Sequence, residues 1–211
     1  MNIVIPLFDG LTALDAIGPY EVLARIPGAQ VTFTGHSRGL VRTGDGALGL
    51  AVDVPLEAIA SCDVLLMPGG IGTRALEHDE RLLAWIRGVD ATTRITASVC
   101  TGALVLAAAG LLRGRRANTH WASRDRLAAF GVTPVAERVV RDGKYATAAG
   151  VSAGIDLALA LVIELAGAEV AAAIQLGIEY DPHPPLDAGD AARAPDALKA
   201  VVLARLRALE G

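Results

Sequence analysis

Apolar positions along this chain follow two different periods. Short continuous runs, at residues 2–8 and at Val64-Leu65-Leu66-Met67, read as strands covered on both faces, as in a parallel sheet. Helical spacing intervenes over 19–26, where Pro27-Gly28 ends the pattern, and over 74–88, 100–112, 153–165 and 168–178. Further strands are predicted at 30–34, 48–54, 93–99 and 116–119, with a hairpin over 138–146 that turns at Asp142-Gly143. Alternation of strands and helices predicts a three-layer α/β/α sandwich around a mostly parallel sheet. The 211 residues suit one domain, 1–211, whose loop-rich extension begins near 181 and ends in a helix over 195–209.

Composition narrows the class of protein. Hydrophobic residues make up 53% and mean hydropathy is +0.45, enough for a large core. The longest apolar stretches are interrupted by Asp156, Glu164 and Glu169 before they reach the roughly 20 residues a membrane helix needs. Met1-Asn2-Ile3-Val4-Ile5-Pro6 starts as a strand with no basic leader, so a cytoplasmic location is expected. Cys62 and Cys100 make no disulfide framework, and no Cys/His spacing suits zinc, so neither metal nor cofactor is expected. Charge is −4, and the one dense basic run, Arg113-Gly114-Arg115-Arg116, complements a helix C-terminus; no nucleic-acid partner is expected.

Candidate chemistry collects on loops that follow strands, where open α/β sheets bind ligands. Cys100 ends a strand and opens a helix, a setting that can lower a thiol pKa from about 8.5 to roughly 3.5–7.5. A buried, inert role is the alternative for any unpaired cysteine. Asp15 follows the first strand and either caps a helix or faces the thiol. Pro68-Gly69-Gly70-Ile71-Gly72 follows the third strand; its amides suit either a tight turn or an oxyanion hole. Gly150-Val151-Ser152-Ala153-Gly154 matches the hydrolase pattern G-x-S-x-G, with Asp156 and His183 downstream. Asp156 lies only four residues past the serine, inside the helix, which argues against a serine triad.

Several ordered motifs resemble the PfpI superfamily, whose fold is class I glutamine amidotransferase-like. They are Leu14-Asp15-x-x-Gly18-Pro19-x-Glu21-Val22-Leu23, Pro68-Gly69-Gly70-x-Gly72, Val99-Cys100-Thr101-Gly102-x-Leu104-x-Leu106, Ala117-Asn118-Thr119-His120-Trp121 and Gly154-Ile155-Asp156-x-Ala158-Leu159. The resemblance continues to Gln175-Leu176-x-x-Glu179-Tyr180 and is nearest to the isonitrile (isocyanide) hydratase branch. Thr101 stands where the peptidase branch has a histidine, and Asp15 stands where the chaperone and deglycase branch typically has a glutamate.

That resemblance implies hydration of an isonitrile to an N-substituted formamide, with a small-molecule substrate and a homodimeric enzyme. It implies Cys100 as nucleophile, Asp15 as acid and base, and Thr101 beside them. Gly69, Gly70 and Ile71 are then the candidates for holding polar atoms of the intermediate. His120 fits either a loop-orienting or a proton-shuttling role and stays outside the catalytic set. Two alternatives stand beside the hydratase: a cysteine redox sensor or stress-protective protein, and a glyoxalase or deglycase-like enzyme.

Overall fold

A computed structural model of the protein describes residues 1–209. Its backbone separates into two compact units, Met1–Ile178 and a second beginning at Glu179. The first unit holds β1 (Asn2–Pro6), α1 (Ala13–Leu23), β2 (Gln30–Gly35), β3 (Gly39–Arg42), β4 (Gly49–Val52), β5 (Val54–Pro55) and β6 (Val64–Met67). It continues through α2 (Thr73–Leu76), α3 (Glu80–Asp90), β7 (Ile95–Val99), α4 (Gly102–Ala108), β8 (Arg116–Ala117), β9 (Thr133–Pro134), β10 (Val139–Asp142), β11 (Tyr145–Ala148), α5 (Ala153–Ala166) and α6 (Ala168–Gly177). The second unit holds α7 (Asp196–Ala208), which has no buried residue.

Seven strands form the main sheet in the order β10-β11-β7-β6-β1-β2-β5. Every neighbouring pair is parallel except β10–β11, the hairpin expected from Asp142-Gly143. Helices flank this sheet, giving the predicted α/β sandwich. The central strands β6 and β7 are buried at every residue; β6 accordingly reads as an unbroken apolar run, while β7 also buries Thr96 and Ser98. At the edge where β7 and β11 begin, Asp90 ties α3 to the sheet. It accepts from Thr96 Oγ1 at 2.6 Å and Tyr145 Oη at 3.2 Å, and pairs with Lys144 at 3.1 Å. Cys100 lies beyond the opposite end of β7, where the strands terminate.

Several predicted elements differ in extent, among them the 48–54 strand, which divides into β4 in a two-stranded sheet and β5 at the edge of the main one. The first helix starts at Ala13, so Pro19 sits inside it and Asp15 lies in its first turn. The expected 74–88 helix is two helices, because Asp79 Oδ1 accepts from Leu82 N at 3.0 Å and caps α3 separately. The helix after Cys100 stops at Ala108, short of Leu112. Strand β3 was missed by hydrophobic pattern; it pairs only with β4 in a two-stranded sheet and is largely exposed.

Candidate functional site

The ends of β1, β6 and β7 bring Asp15, Gly69, Gly70, Cys100 and Thr101 together. Register fixes this placement: β6 pairs in parallel with both β1 and β7, so their following loops emerge on one rim. Small residues let those loops approach. A Cβ on Gly69 would lie 2.6 Å from Thr101 N and 2.8 Å from Asp15 Oδ2, and one on Gly102 would overlap the Met67 carbonyl. Gly70, at φ 138°, occupies backbone that only glycine adopts readily.

Cys100 turns the corner from β7 into α4 at φ 54°, the left-handed region that a side chain enters at a cost of about 1–2 kcal/mol. Backbone bonds hold it there: Cys100 N donates to Ala149 O at 2.8 Å, and Thr119 Oγ1 donates to Cys100 O at 2.7 Å. Its side chain is 6% exposed. The amides of Thr101 and Val151 face the sulfur and, with the nearby Thr101 hydroxyl, favour a thiolate. Burial, followed by the nearby Asp15 charge, outweighs them and pushes the thiol well above its ordinary range. The expected lowering at a helix start is therefore reversed, since the short helix cannot offset desolvation beside a carboxylate.

Asp15 does not cap its helix; that position belongs to Thr12. Its carboxyl points inward, where Oδ2 accepts from Gly69 N at 2.9 Å and Oδ1 is buried without a hydrogen-bond partner. Burial raises its pKa from 3.8 to about 7, against smaller lowering contributions from the Gly69 amide and the Cys100 thiol. Near neutral pH the carboxyl is therefore the group that titrates, while the thiol beside it keeps its proton.

Thr101 Oγ1 accepts from Gly70 N at 2.9 Å and donates to Gly70 O at 3.1 Å. The Gly69 and Gly70 amides considered for an oxyanion hole are consequently bonded to Asp15 and Thr101. The Ile71 side chain packs beside the turn, its Cγ2 lying 3.3 Å from where a Cβ on Gly10 or Gly44 would stand. The turn itself is pinned by Thr12 N donating to Gly69 O at 2.9 Å.

His120 caps the 3-10 turn that begins at Trp121, accepting from Ala122 N at 3.3 Å. Burial, then the Arg124 charge, lowers its pKa, so it is held neutral. The G-x-S-x-G match sits at the start of α5 but is no elbow: Ser152 has φ −67°, and Arg138 bonds both its hydroxyl and Asp156. Sequence reasoning gave no role to Thr119, Ala149 or the Val151 amide. Two of these act through backbone atoms, which leave no residue-type signal. Among the described residues, no group of three or more His, Cys, Asp or Glu could hold a metal ion, and no helix is long and apolar enough to cross a membrane.

Fold and site define an α/β protein with a cysteine and a carboxyl paired at the strand ends. The DJ-1/PfpI family model matches residues 1–164, and the chain belongs to that family. It is 46% identical over 192 residues to an isonitrile hydratase of Pseudomonas putida, covering 91% of this chain and 84% of that protein. It is 29% identical over 147 residues to a deglycase of Pyrococcus abyssi, covering 69% of this chain and 87% of that one. A THiJ/PfpI family protein from Pseudomonas syringae superposes with a TM-score of 0.92 at 36% identity, covering all of this chain and 90% of that one.

Proposed function

We propose that this protein is an isonitrile hydratase, converting R–N≡C and water to R–NH–CHO with Cys100 as covalent nucleophile. The observation that carries the reading is the buried Asp15 carboxyl, its pKa raised to about 7, against the Cys100 thiol. Similarity to the P. putida enzyme supplies the substrate class.

The roles follow from proton balance. Ionised Asp15 takes the thiol proton as sulfur attacks the terminal isonitrile carbon, then returns it to that carbon, giving a thioimidate, R–N=CH–S–Cys100. Asp15 next removes a proton from water, whose oxygen adds to the same carbon while nitrogen gains the proton. The adduct R–NH–CH(OH)–S–Cys100 expels sulfur, its hydroxyl proton passes through Asp15 to sulfur, and the formamide leaves. Oδ1 is the transferring atom, since Oδ2 is engaged by Gly69. The Thr101 and Val151 amides hold charge on sulfur during attack and expulsion. Gly69 and Gly70 orient Asp15 and Thr101, and Ile71 completes the turn that carries them. No step calls for a metal or cofactor. In this reading the enzyme is cytoplasmic, and a homodimer as the family resemblance implies.

A redox-sensor role is less well supported, because oxidation follows thiolate character and exposure and this thiol has little of either. The deciding assay mixes purified protein with an aryl isonitrile and follows formamide, with methylglyoxal run in parallel. Turnover by wild type, lost in Cys100→Ala and Asp15→Asn, is expected. No turnover by wild type, or undiminished turnover in Cys100→Ala, overturns the assignment.

A further inference from the structure

The G-x-S-x-G segment has no triad to serve, yet its polar side chains are gathered by one residue on the neighbouring hairpin. Arg138 stands just before β10 and reaches the first turn of α5, where Nη2 donates to Ser152 Oγ at 3.3 Å and Nε pairs with Asp156 Oδ2. Its backbone holds the same segment: Ala149 N donates to Arg138 O at 2.9 Å, and Ala149 O accepts from Cys100 N at 2.8 Å. Between these two anchors lies Val151, whose amide faces the Cys100 sulfur. We propose that Arg138 is a positioning residue for Cys100, setting the Ala149–Ser152 loop so that the Val151 amide stays aimed at the sulfur.

Two comparisons separate this from general bracing. Arg138 is 54% exposed at the side chain and Asp156 31%, so the pair adds little to stability. A second clamp, Arg141 to Glu164 at 2.6 Å, ties the same hairpin to the far end of α5, remote from the loop. Loss of Arg141 frees the helix elsewhere and leaves the Val151 amide in place.

The inference rests on Cys100 being the reacting group of the proposed hydratase, and its test does not need isonitrile turnover. In a Cys62→Ala background, the second-order rate of iodoacetamide alkylation of Cys100 at pH 8 is compared among variants. Arg138→Met keeps the aliphatic stem and is expected to slow alkylation roughly three- to tenfold, the range for weakening one hydrogen bond to a charged atom. Arg138→Lys recovers part of that loss, and Arg141→Met stays within about twofold of wild type. Where isonitrile turnover is measurable, kcat falls with alkylation and KM holds. Alkylation of Arg138→Met within about twofold of wild type, or an equal loss in Arg141→Met, overturns the inference. Should Arg138→Met fail to fold, Ser152→Ala removes only the hydroxyl acceptor; a slower rate supports the proposal and an unchanged rate refutes it. An absence of isonitrile turnover in wild type with these alkylation differences intact would reject the hydratase while leaving the positioning role standing.

Discussion

The Thr101 hydroxyl binds both ends of the Gly70 residue, accepting from its amide at 2.9 Å and donating to its carbonyl at 3.1 Å. One side chain thereby locks the glycine turn to the corner that carries Cys100. Thr101→Val preserves shape and leaves the Gly70 amide and carbonyl without that partner, a cost of about 1–3 kcal/mol. Denaturant unfolding should register this loss, together with a drop in isonitrile turnover of tenfold or so. Thr101→Ser, which keeps the hydroxyl, should restore most of both.

Gly70 itself tolerates nothing larger. At φ 138° an added Cβ would stand 2.6 Å from Thr12 N and overlap the Gly10 carbonyl. Gly70→Ala therefore strains the backbone and displaces the Asp15-bearing loop at once. A loss of at least about 2 kcal/mol is expected in urea unfolding, with turnover abolished. Unchanged unfolding would mean that the turn can relax without affecting its neighbours.

Asp15 is stabilising only while it holds its proton. Its folded pKa of about 7 lies above the ordinary 3.8, so its contribution is present in full below about pH 4 and lost as pH rises through 7. At pH 8 the ionised carboxyl costs up to about 4 kcal/mol. Asp15→Asn retains an oxygen for the Gly69 amide and carries no charge, so it should unfold at higher urea than wild type at pH 8. The difference should shrink toward pH 4. An equal difference at both pH values would show that ionisation of Asp15 is not its source.

Activity should run opposite to stability. Below about pH 7 Asp15 and Cys100 both hold protons and no base is available, so kcat/KM should rise with pH through about 7. The ascending limb belongs to the coupled pair and should vanish in Asp15→Asn, whose residual rate stays flat across that range. A limb that persists in this variant would move the titrating group elsewhere.

Much of this arrangement is legible in the sequence, for particular reasons. Strand β6 announces itself because burial on both faces leaves no polar position, and β7 because only the small polar residues Thr96 and Ser98 interrupt its apolar ones. Cys100, Asp15 and the glycines stand at strand ends, which a parallel sheet must gather on one rim. What stays hidden is direction and energy. Pro19 suggests a helix start, yet α1 begins at Ala13, and this turns Asp15 from a cap into an inward-facing acid. Residue type likewise cannot tell that Gly69 and Gly70 spend their amides on Asp15 and Thr101, or that desolvation outweighs a short helix at the sulfur.

Cys62 provides the contrast that isolates these effects. It too is buried, at 5% exposure, and its thiol is pushed up to about 12 by burial and then by the Asp63 and Asp90 charges. No elbow strains its backbone, and no neighbouring carboxyl forms a hydrogen bond that could draw off its proton. Cys62→Ala should therefore leave kcat/KM within about twofold and cost about 1 kcal/mol from the cavity it creates. Peptide mapping after brief iodoacetamide treatment of native wild type should place the adduct on Cys100. Two thiols of similar burial would then differ by the acid and the amides that face only one of them, and equal labelling of both would remove that distinction.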